Sequence, residues 1–320
     1  MKKRSLIISA TILAFTLNVF AEPGGSPGVK TVSISFSGAF ALYPLVQVWA
    51  EEYNKTHPDI RFDIQAGGTG KGLTDCLTGA VDVGMFSREL KDAEKAKGVW
   101  WIALCKDAGL PTMNATNSNL KSLQIRGVKK DEFKSIFVDH TIETWDQLLG
   151  TSSKTNKKIN VYTRADAAGA ADSWASFFGK KQENIKGIGV SGDPGVADAV
   201  RKDINSIGYN NTLFVFDAKS GKKLPGIEVV PIDVNGNGTI DADENFYGNL
   251  HQFLKAVNDE KYPSPPARQL YFLTKGKTQK KEILDFFKWC LTDGQAFVNS
   301  AGFVPLPKGT LADQVKKLGK

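Results

Sequence analysis

Short runs in which apolar and polar residues alternate give way, again and again, to stretches whose apolar positions recur every three or four residues. Val32, Ile34 and Phe36 alternate as a half-buried strand does, and Pro44 then suits the first turn of a helix whose inward face is Leu45, Val48 and Trp49. Ile60, Phe62 and Ile64 predict a second strand, followed at helical spacing by Leu73, Cys76, Leu77 and Ala80. Residues 81–85 and 99–104 read as further strands. Strand and helix alternating at this pace predict an α/β fold, a mostly parallel sheet flanked by helices.

The polar stretch 111–119 breaks the pattern and reads as the first passage into another lobe. Beyond it the spacing predicts a helix near 131–137, a strand at 159–163, and helices at 169–178 and near 196–202. Residues 213–216 and 226–232, joined by Asp217-Ala218-Lys219-Ser220-Gly221, read as a hairpin. Leu250, Phe253, Leu254 and Val257 share one helix face, and residues 270–274 read as a strand rejoining the first lobe. Helices around 280–291 and 294–300 follow, with Ile283, Leu284, Phe287 and Leu291 inward. The expected organisation is two lobes, residues 29–112 with 270–320 and residues 113–269, joined by two hinge crossovers.

The ends and the composition narrow the function. Lys2, Lys3 and Arg4 precede an apolar run over residues 6–20 that ends in Val19-Phe20-Ala21, the pattern of a secretory leader cut near Ala21. No later segment is long and apolar enough for a membrane span, so a soluble, exported chain is expected. The formal charge of +7 is spread over many separate lysines, without a basic stripe interleaved with aromatics, which argues against a nucleic-acid partner. Cys76, Cys105 and Cys290 allow at most one internal disulfide and read as buried free thiols. His57, His140 and His251 have no metal-ligand spacing, and no nucleophile or metal cluster of a hydrolase stands out, so the chain reads as a binding protein and not an enzyme.

Candidate chemistry lies in three small-residue turns, Ser37-Gly38-Ala39-Phe40-Ala41-Leu42, Gly67-Gly68-Thr69-Gly70-Lys71-Gly72 and Ala165-Asp166-Ala167-Ala168-Gly169-Ala170. Each follows a predicted strand and opens a predicted helix. A helix start presents unpaired N–H groups and a partial positive charge, so several of them converging would cage an oxyanion with neither metal nor catalytic base. The second turn is not a nucleotide P-loop, because Gly72 follows Lys71 where that motif needs Ser or Thr.

In their order and spacing these turns, together with Val81-Asp82-Val83-Gly84-Met85-Phe86-Ser87-Arg88 and Arg164-Ala165-Asp166, resemble the phosphate-binding proteins of ABC-type phosphate importers, within the two-lobed periplasmic binding protein superfamily. The resemblance implies a monomeric periplasmic receptor that closes on inorganic phosphate and delivers it to an inner-membrane importer permease. A receptor for sulfate, molybdate or a small carboxylate is the alternative. It also implies an anion site at Ala41, Leu42, Thr69, Ser87, Arg88, Arg164, Asp166, Ala168, Gly169 and Ala170. Four residues depart from the family's pattern. Ala41, Ala168 and Ala170 lack the hydroxyls usual in the family, and Arg88 stands where many members carry the Asp that accepts the ligand's proton. Two guanidinium groups, Arg88 and Arg164, are therefore expected to grip the anion, with Asp166 the remaining candidate acceptor.

Separately, Asp233-Val234-Asn235-Gly236-Asn237-Gly238-Thr239-Ile240-Asp241-Ala242-Asp243-Glu244 matches the EF-hand calcium loop at each diagnostic place. Asp233, Asn235, Asn237, Thr239, Asp241 and Glu244 are the expected ligands of a structural calcium ion. The loop is expected to follow a strand and to lead into a helix beginning near Glu244.

Overall fold

Most of the alternation resolves into the elements it predicts. The structure, a computed structural model, describes residues 31–151 and 157–319; the leader expected at residues 1–21 lies outside them. Strand β1 (Val32–Gly38) buries Ile34 and Phe36 and turns into α1 (Tyr43–Asn54), with Pro44 in its first turn and Trp49 fully buried. β2 (Ile60–Ala66) and α2 (Thr69–Thr78) repeat the unit, and β3 (Val83–Phe86) completes three parallel neighbours. The short α3 (Asp92–Lys95) precedes β4 (Val99–Asn114).

β4 carries the chain through the first part of the polar stretch 111–119, as far as Asn114, and turns follow over 115–119. Pro111 has no N–H to lose from a ladder, and its carbonyl still accepts the Val230 N–H at 2.9 Å. There follow α4 (Leu120–Arg126), β5 (Val128–Lys129), α5 (Lys130–Lys134) with a π turn over Ser135–Asp139, and α6 (Trp145–Leu149). β6 (Asn160–Arg164), α7 (Gly169–Phe177), β7 (Ile188–Val190), α8 (Gly192–Lys202) and β8 (Ser206–Asn211) form a second parallel set.

The expected hairpin is cut down to one antiparallel bridge, Phe216 with Lys223, closed over the turn by the Asp217 N–H to the Lys222 carbonyl at 2.8 Å and the Leu224 N–H to the Val215 carbonyl at 2.7 Å. Val215 and Phe216 both donate to the Thr212 carbonyl, which winds Thr212–Phe214 into a 3-10 turn, while β9 (Ile227–Val229) pairs with β4. After β10 (Ile232–Asp233) the calcium-type loop leads through further turns to α9 (Leu250–Asn258), not to a helix at Glu244; Asn249 supplies the cap by accepting the Gln252 N–H. β11 (Ala267–Lys275), α10 (Lys281–Leu291), β12 (Val304–Pro305) and α11 (Lys308–Gly319) end the chain, and residues 294–300 hold only part of a 3-10 turn, Asp293–Phe297.

The sheet order is β2-β1-β3-β11-β4-β8-β6-β7, with β11 antiparallel to both β3 and β4. Two aromatic cores flank it, giving a two-lobed α/β fold. One gathers Phe36, Trp49, Phe272 and Phe286; the other gathers Phe133, Phe137, Trp174, Tyr209 and Phe253. Each fully buried ring stabilises its lobe by roughly 1.5–3 kcal/mol. Strands β4 and β11 cross between the cores: Leu104 lies in the first and Leu110 in the second, Phe272 in the first and Ala267 in the second. At that crossing Asp107 and Arg268 face each other at 3.5 Å, both buried. The three cysteines are buried and free, and burial pushes the Cys76 thiol up to about 11. Among the described residues no helix is long and apolar enough to cross a membrane.

Candidate functional site

The three small-residue turns meet where the two lobes touch. β1 ends at Gly38 with φ +136°, and a Cβ there would stand 2.2 Å from the Met85 carbonyl, so only glycine permits this approach. The Gly38 carbonyl in turn accepts the N–H groups of both Gly67 and Gly68, at 2.8 and 2.9 Å, fixing the start of α2 beside the first turn. From the other lobe the start of α7 arrives against them. The Gly70 N–H donates to the Ala167 carbonyl at 3.0 Å, and the Gly169 N–H donates to Thr69 Oγ1 at 3.2 Å. Thr69 Oγ1 and Ser87 Oγ share a hydrogen bond of 2.8 Å.

These contacts close on a tight recess with no room for a water molecule in this structure, lined by Ala39, Phe40, Gly68, Thr69 and Ser87 from one lobe and Arg164, Ala168, Gly169, Ala170 and Asp193 from the other. The N–H groups of Thr69 and Ala170, each in the first turn of its helix, find no acceptor among the described residues. They are donors left for a ligand, and both helix dipoles add positive potential there.

Arg164 supplies the formal charge, and two carboxylates hold it. Nε donates to Asp166 Oδ1 at 2.8 Å, Nη2 donates to Asp166 Oδ2, and Nη1 donates to Asp193 Oδ2 at 2.6 Å. Burial works against ionising Asp166, but the Arg164 hydrogen bonds and the Gly192 N–H outweigh it and keep the carboxyl below its ordinary 3.8. Burial pushes Asp193 the other way, upward, against the pull of Arg164. Asn211 donates to Asp193 Oδ1 at 2.8 Å and accepts from Arg268 Nη2, while Arg268 Nε holds the Ser87 carbonyl at 2.7 Å. A buried polar chain thus runs from Ser87 on one wall of the recess to Arg164 on the other.

Of the expected anion-site residues, Thr69, Ser87, Arg164, Ala168, Gly169 and Ala170 are brought together, and Asp166 stands behind Arg164 as its partner. Ala41 and Leu42 are not part of the lining. Their side chains belong to the first core and the Leu42 N–H is spent on the Ala39 carbonyl, so Ala39 and Phe40 take their place. Arg88 is also displaced. Its guanidinium forms a two-pronged pair with Glu94 at 2.6 and 2.8 Å, its Cζ lies 4.6 Å from the centre of the Phe86 ring, and it reaches Asp172 at 3.9 Å. It lines a separate, wider cleft of about 380 Å³ open to solvent. The second guanidinium of the cage is therefore absent.

Asp193, Asn211 and Arg268 escaped the sequence reading. Ser191-Gly192-Asp193-Pro194 carries a helix-start signature that would have moved the start of α8 to Gly192 and placed an acid in its first turn. Nothing local marks Asn211 or Arg268, whose partners lie far along the chain.

The chain matches the model of the PBP superfamily domain over residues 21–293. It is 26% identical to the phosphate-binding protein PstS of Xylella fastidiosa over 89% of this chain and 84% of that protein. Against PstS of Bacillus subtilis it is 26% identical over 96% of this chain and 95% of that one. Its fold resembles a protein from Clostridium perfringens crystallised with bound phosphate (TM-score 0.70, 21% identity, 86% of this chain and 100% of that one). It also resembles an ABC-type phosphate transport receptor from Vibrio cholerae (TM-score 0.60, 17% identity, 86% and 100%).

Proposed function

The chain belongs to the PBP superfamily, and on that footing we propose that it is an exported receptor that captures inorganic phosphate between its lobes and delivers it to an ABC-type importer permease. The observation that carries this is the recess in which the starts of α2 and α7 and the guanidinium of Arg164 close on one small volume. Binding there requires no covalent step. The unspent N–H groups of Thr69 and Ala170, the Thr69 and Ser87 hydroxyls and the remaining Arg164 hydrogens surround an oxyanion, and burial strengthens each contact. The names of the Xylella and Bacillus relatives favour phosphate among the oxyanions.

Thermal unfolding of the purified protein against phosphate, molybdate, citrate and acetate tests the proposal. Phosphate alone should raise Tm, by the equivalent of about 2.7 kcal/mol at a hundred times Kd. A shift with citrate or acetate and none with phosphate refutes it.

The loop 233–244 is proposed to hold calcium as a structural ion. Asp233 and Glu244 are almost fully buried at its two ends. Asp233 accepts from the N–H groups of Gly236 and Gly238 at 2.7 and 2.8 Å, and Glu244 Oε1 from those of Val234 and Asn235 at 2.9 and 3.0 Å. Asn235 and Asn237 both donate to Asp241 Oδ2, at 2.9 and 2.8 Å. Three close acidic or His/Cys side chains are not found together among the described residues, so the ion would draw also on the two Asn side-chain oxygens and the Thr239 carbonyl. The Ile240 N–H donates to the Ile125 carbonyl at 2.8 Å, so a filled loop would brace the end of α4 and thereby its own lobe.

A further inference from the structure

Arg268 stands on β11 where that strand passes between the cores, with Ala267 in the second and Leu270 in the first. It is 7% exposed, and its guanidinium is divided among three segments of the chain. Nε donates to the Ser87 carbonyl at 2.7 Å, in the first lobe, and Nη2 donates to Asn211 Oδ1, at the end of β8 in the second. Nη1 donates to the Pro266 carbonyl at 3.2 Å, just before its own strand. A guanidinium is planar with its donors at fixed angles, so it serves Ser87 and Asn211 together at one spacing of the two. Any rotation about the β4–β11 crossing that parts the lobes carries one of these acceptors out of reach, and the fork is complete only in the closed form.

What the fork holds also shapes the cage. The Ser87 carbonyl is the surface against which α7 starts, since a Cβ at Gly169 would lie 2.3 Å from its oxygen. On the other prong, Asn211 donates to Asp193 at 2.8 Å, and Asp193 takes Nη1 of Arg164 at 2.6 Å. Arg268 itself does not line the recess. Asp107, buried 3.5 Å from Nη2, balances its charge.

Taking the phosphate reading above as its basis, we propose that Arg268 is a positioning residue that couples lobe closure to anion capture: both lobes satisfy its fork at once, which stabilises the closed receptor against opening without any contact to the ligand. Loss of the fork therefore speeds the release of phosphate and leaves its entry into the open receptor unchanged. A residue that only balanced Asp107 would be replaceable by another cation. Lysine separates the two roles, because it keeps the charge but is a compact point donor with no fixed fork.

Phosphate binding to the wild type, Arg268→Lys, Asn211→Ala and the double variant tests the role, with Kd from titration calorimetry and the association and dissociation rates from rapid mixing. In folded Arg268→Lys, Kd should rise by more than about tenfold, the worth of one charge-assisted hydrogen bond. The rise should lie in the dissociation rate, with association within about threefold of wild type. Asn211→Ala should behave alike, and because both changes break one bond the double variant should lose less than the product of the two. A smaller rise in Kd for Arg268→Lys overturns the role, as does a loss carried by the association rate or a double variant weakened by the full product. Should Arg268→Lys not fold, Asn211→Ala decides on the same terms. Absence of phosphate binding to the wild type refutes instead the phosphate reading on which the role rests.

Discussion

Replacing Gly169 by Ala separates lobe stability from ligand capture. Gly169 opens α7 with ordinary helical backbone, so Ala fits its conformation, and a helix gains slightly from the exchange. Across the lobe boundary the space is missing. A Cβ at Gly169 would stand 2.2 Å from Ser87 Oγ and 2.3 Å from the Ser87 carbonyl oxygen. The hydroxyl can rotate away, but the carbonyl is held by Arg268 Nε at 2.7 Å and does not yield. Restoring an ordinary contact of 3.4 Å therefore moves the start of α7 away from Ser87 by about 1 Å. That displacement breaks the 3.2 Å bond from the Gly169 N–H to Thr69 Oγ1 and carries the Ala170 N–H off its aim. Misplacement of this size costs about a hundredfold in a preorganised site, equivalent to about 2.7 kcal/mol. The expected result is a ligand-free melting temperature modestly below wild type, since overpacking of about 1–3 kcal/mol exceeds the helix gain, with phosphate Kd raised by about two orders of magnitude in titration calorimetry. A Gly169→Ala protein that binds phosphate within threefold of wild type would refute the closed contact between Gly169 and Ser87 as the binding geometry.

The remaining expectations are simpler to read. Arg88→Ala should change phosphate Kd by less than about threefold, because the guanidinium is committed to Glu94; a loss beyond tenfold in calorimetry would return Arg88 to the cage. Glu244→Gln should abolish the calcium-induced rise in Tm while leaving phosphate affinity near wild type, and an equal calcium shift in both proteins would count against the loop as the site. Asp82 predicts a pH dependence. Burial disfavours its ionised form, but hydrogen bonds from Lys280 and Ser35 outweigh that and hold the carboxyl below 3.8. A depressed carboxyl contributes stability above its unfolded value, and the contribution is lost as pH falls from there through the folded value. Asp82→Asn should therefore melt earlier than wild type at neutral pH and converge with it in acid below 3.8; a gap that persists or widens in acid would contradict the assignment.

What the sequence made legible was whatever local periodicity or backbone necessity dictates. Ile34 and Phe36 announce β1, and Gly38 and Gly68 mark turns that need positive φ. Residues 213–216 misled because an apolar run of four looks alike as a strand and as a turn packed on a core, and only the distant pairing of β9 with β4 decides between them. Arg88 misled differently. Its place in the motif is right, next to Ser87, but a motif fixes the backbone position and not the direction of a long side chain. Glu94, six residues on in the same turn of chain, captures it. Arg268 lay beyond reach because its role comes from partners on other elements, and of Asp193 only the helix start was legible, not its pairing with Arg164.

The way Arg164 is held changes what makes the cage attractive to an anion. With Asp166 on one side and Asp193 on the other, its positive charge is already answered before a ligand enters, and Arg88 adds none. Net charge therefore does not draw the anion in. Ala41, Ala168 and Ala170 carry no hydroxyl, so the fixed dipoles of α2 and α7, with their first-turn N–H groups, supply most of the remaining attraction. Backbone donors keep their aim only while the two helix starts hold their spacing. That spacing is set by the absence of side chains at Gly169, against Ser87, and at Gly70, where a Cβ would meet Ala167 Cβ at 2.6 Å. Affinity in this cage accordingly depends more on the glycines that let the lobes meet than on exchange of any one polar side chain around the rim.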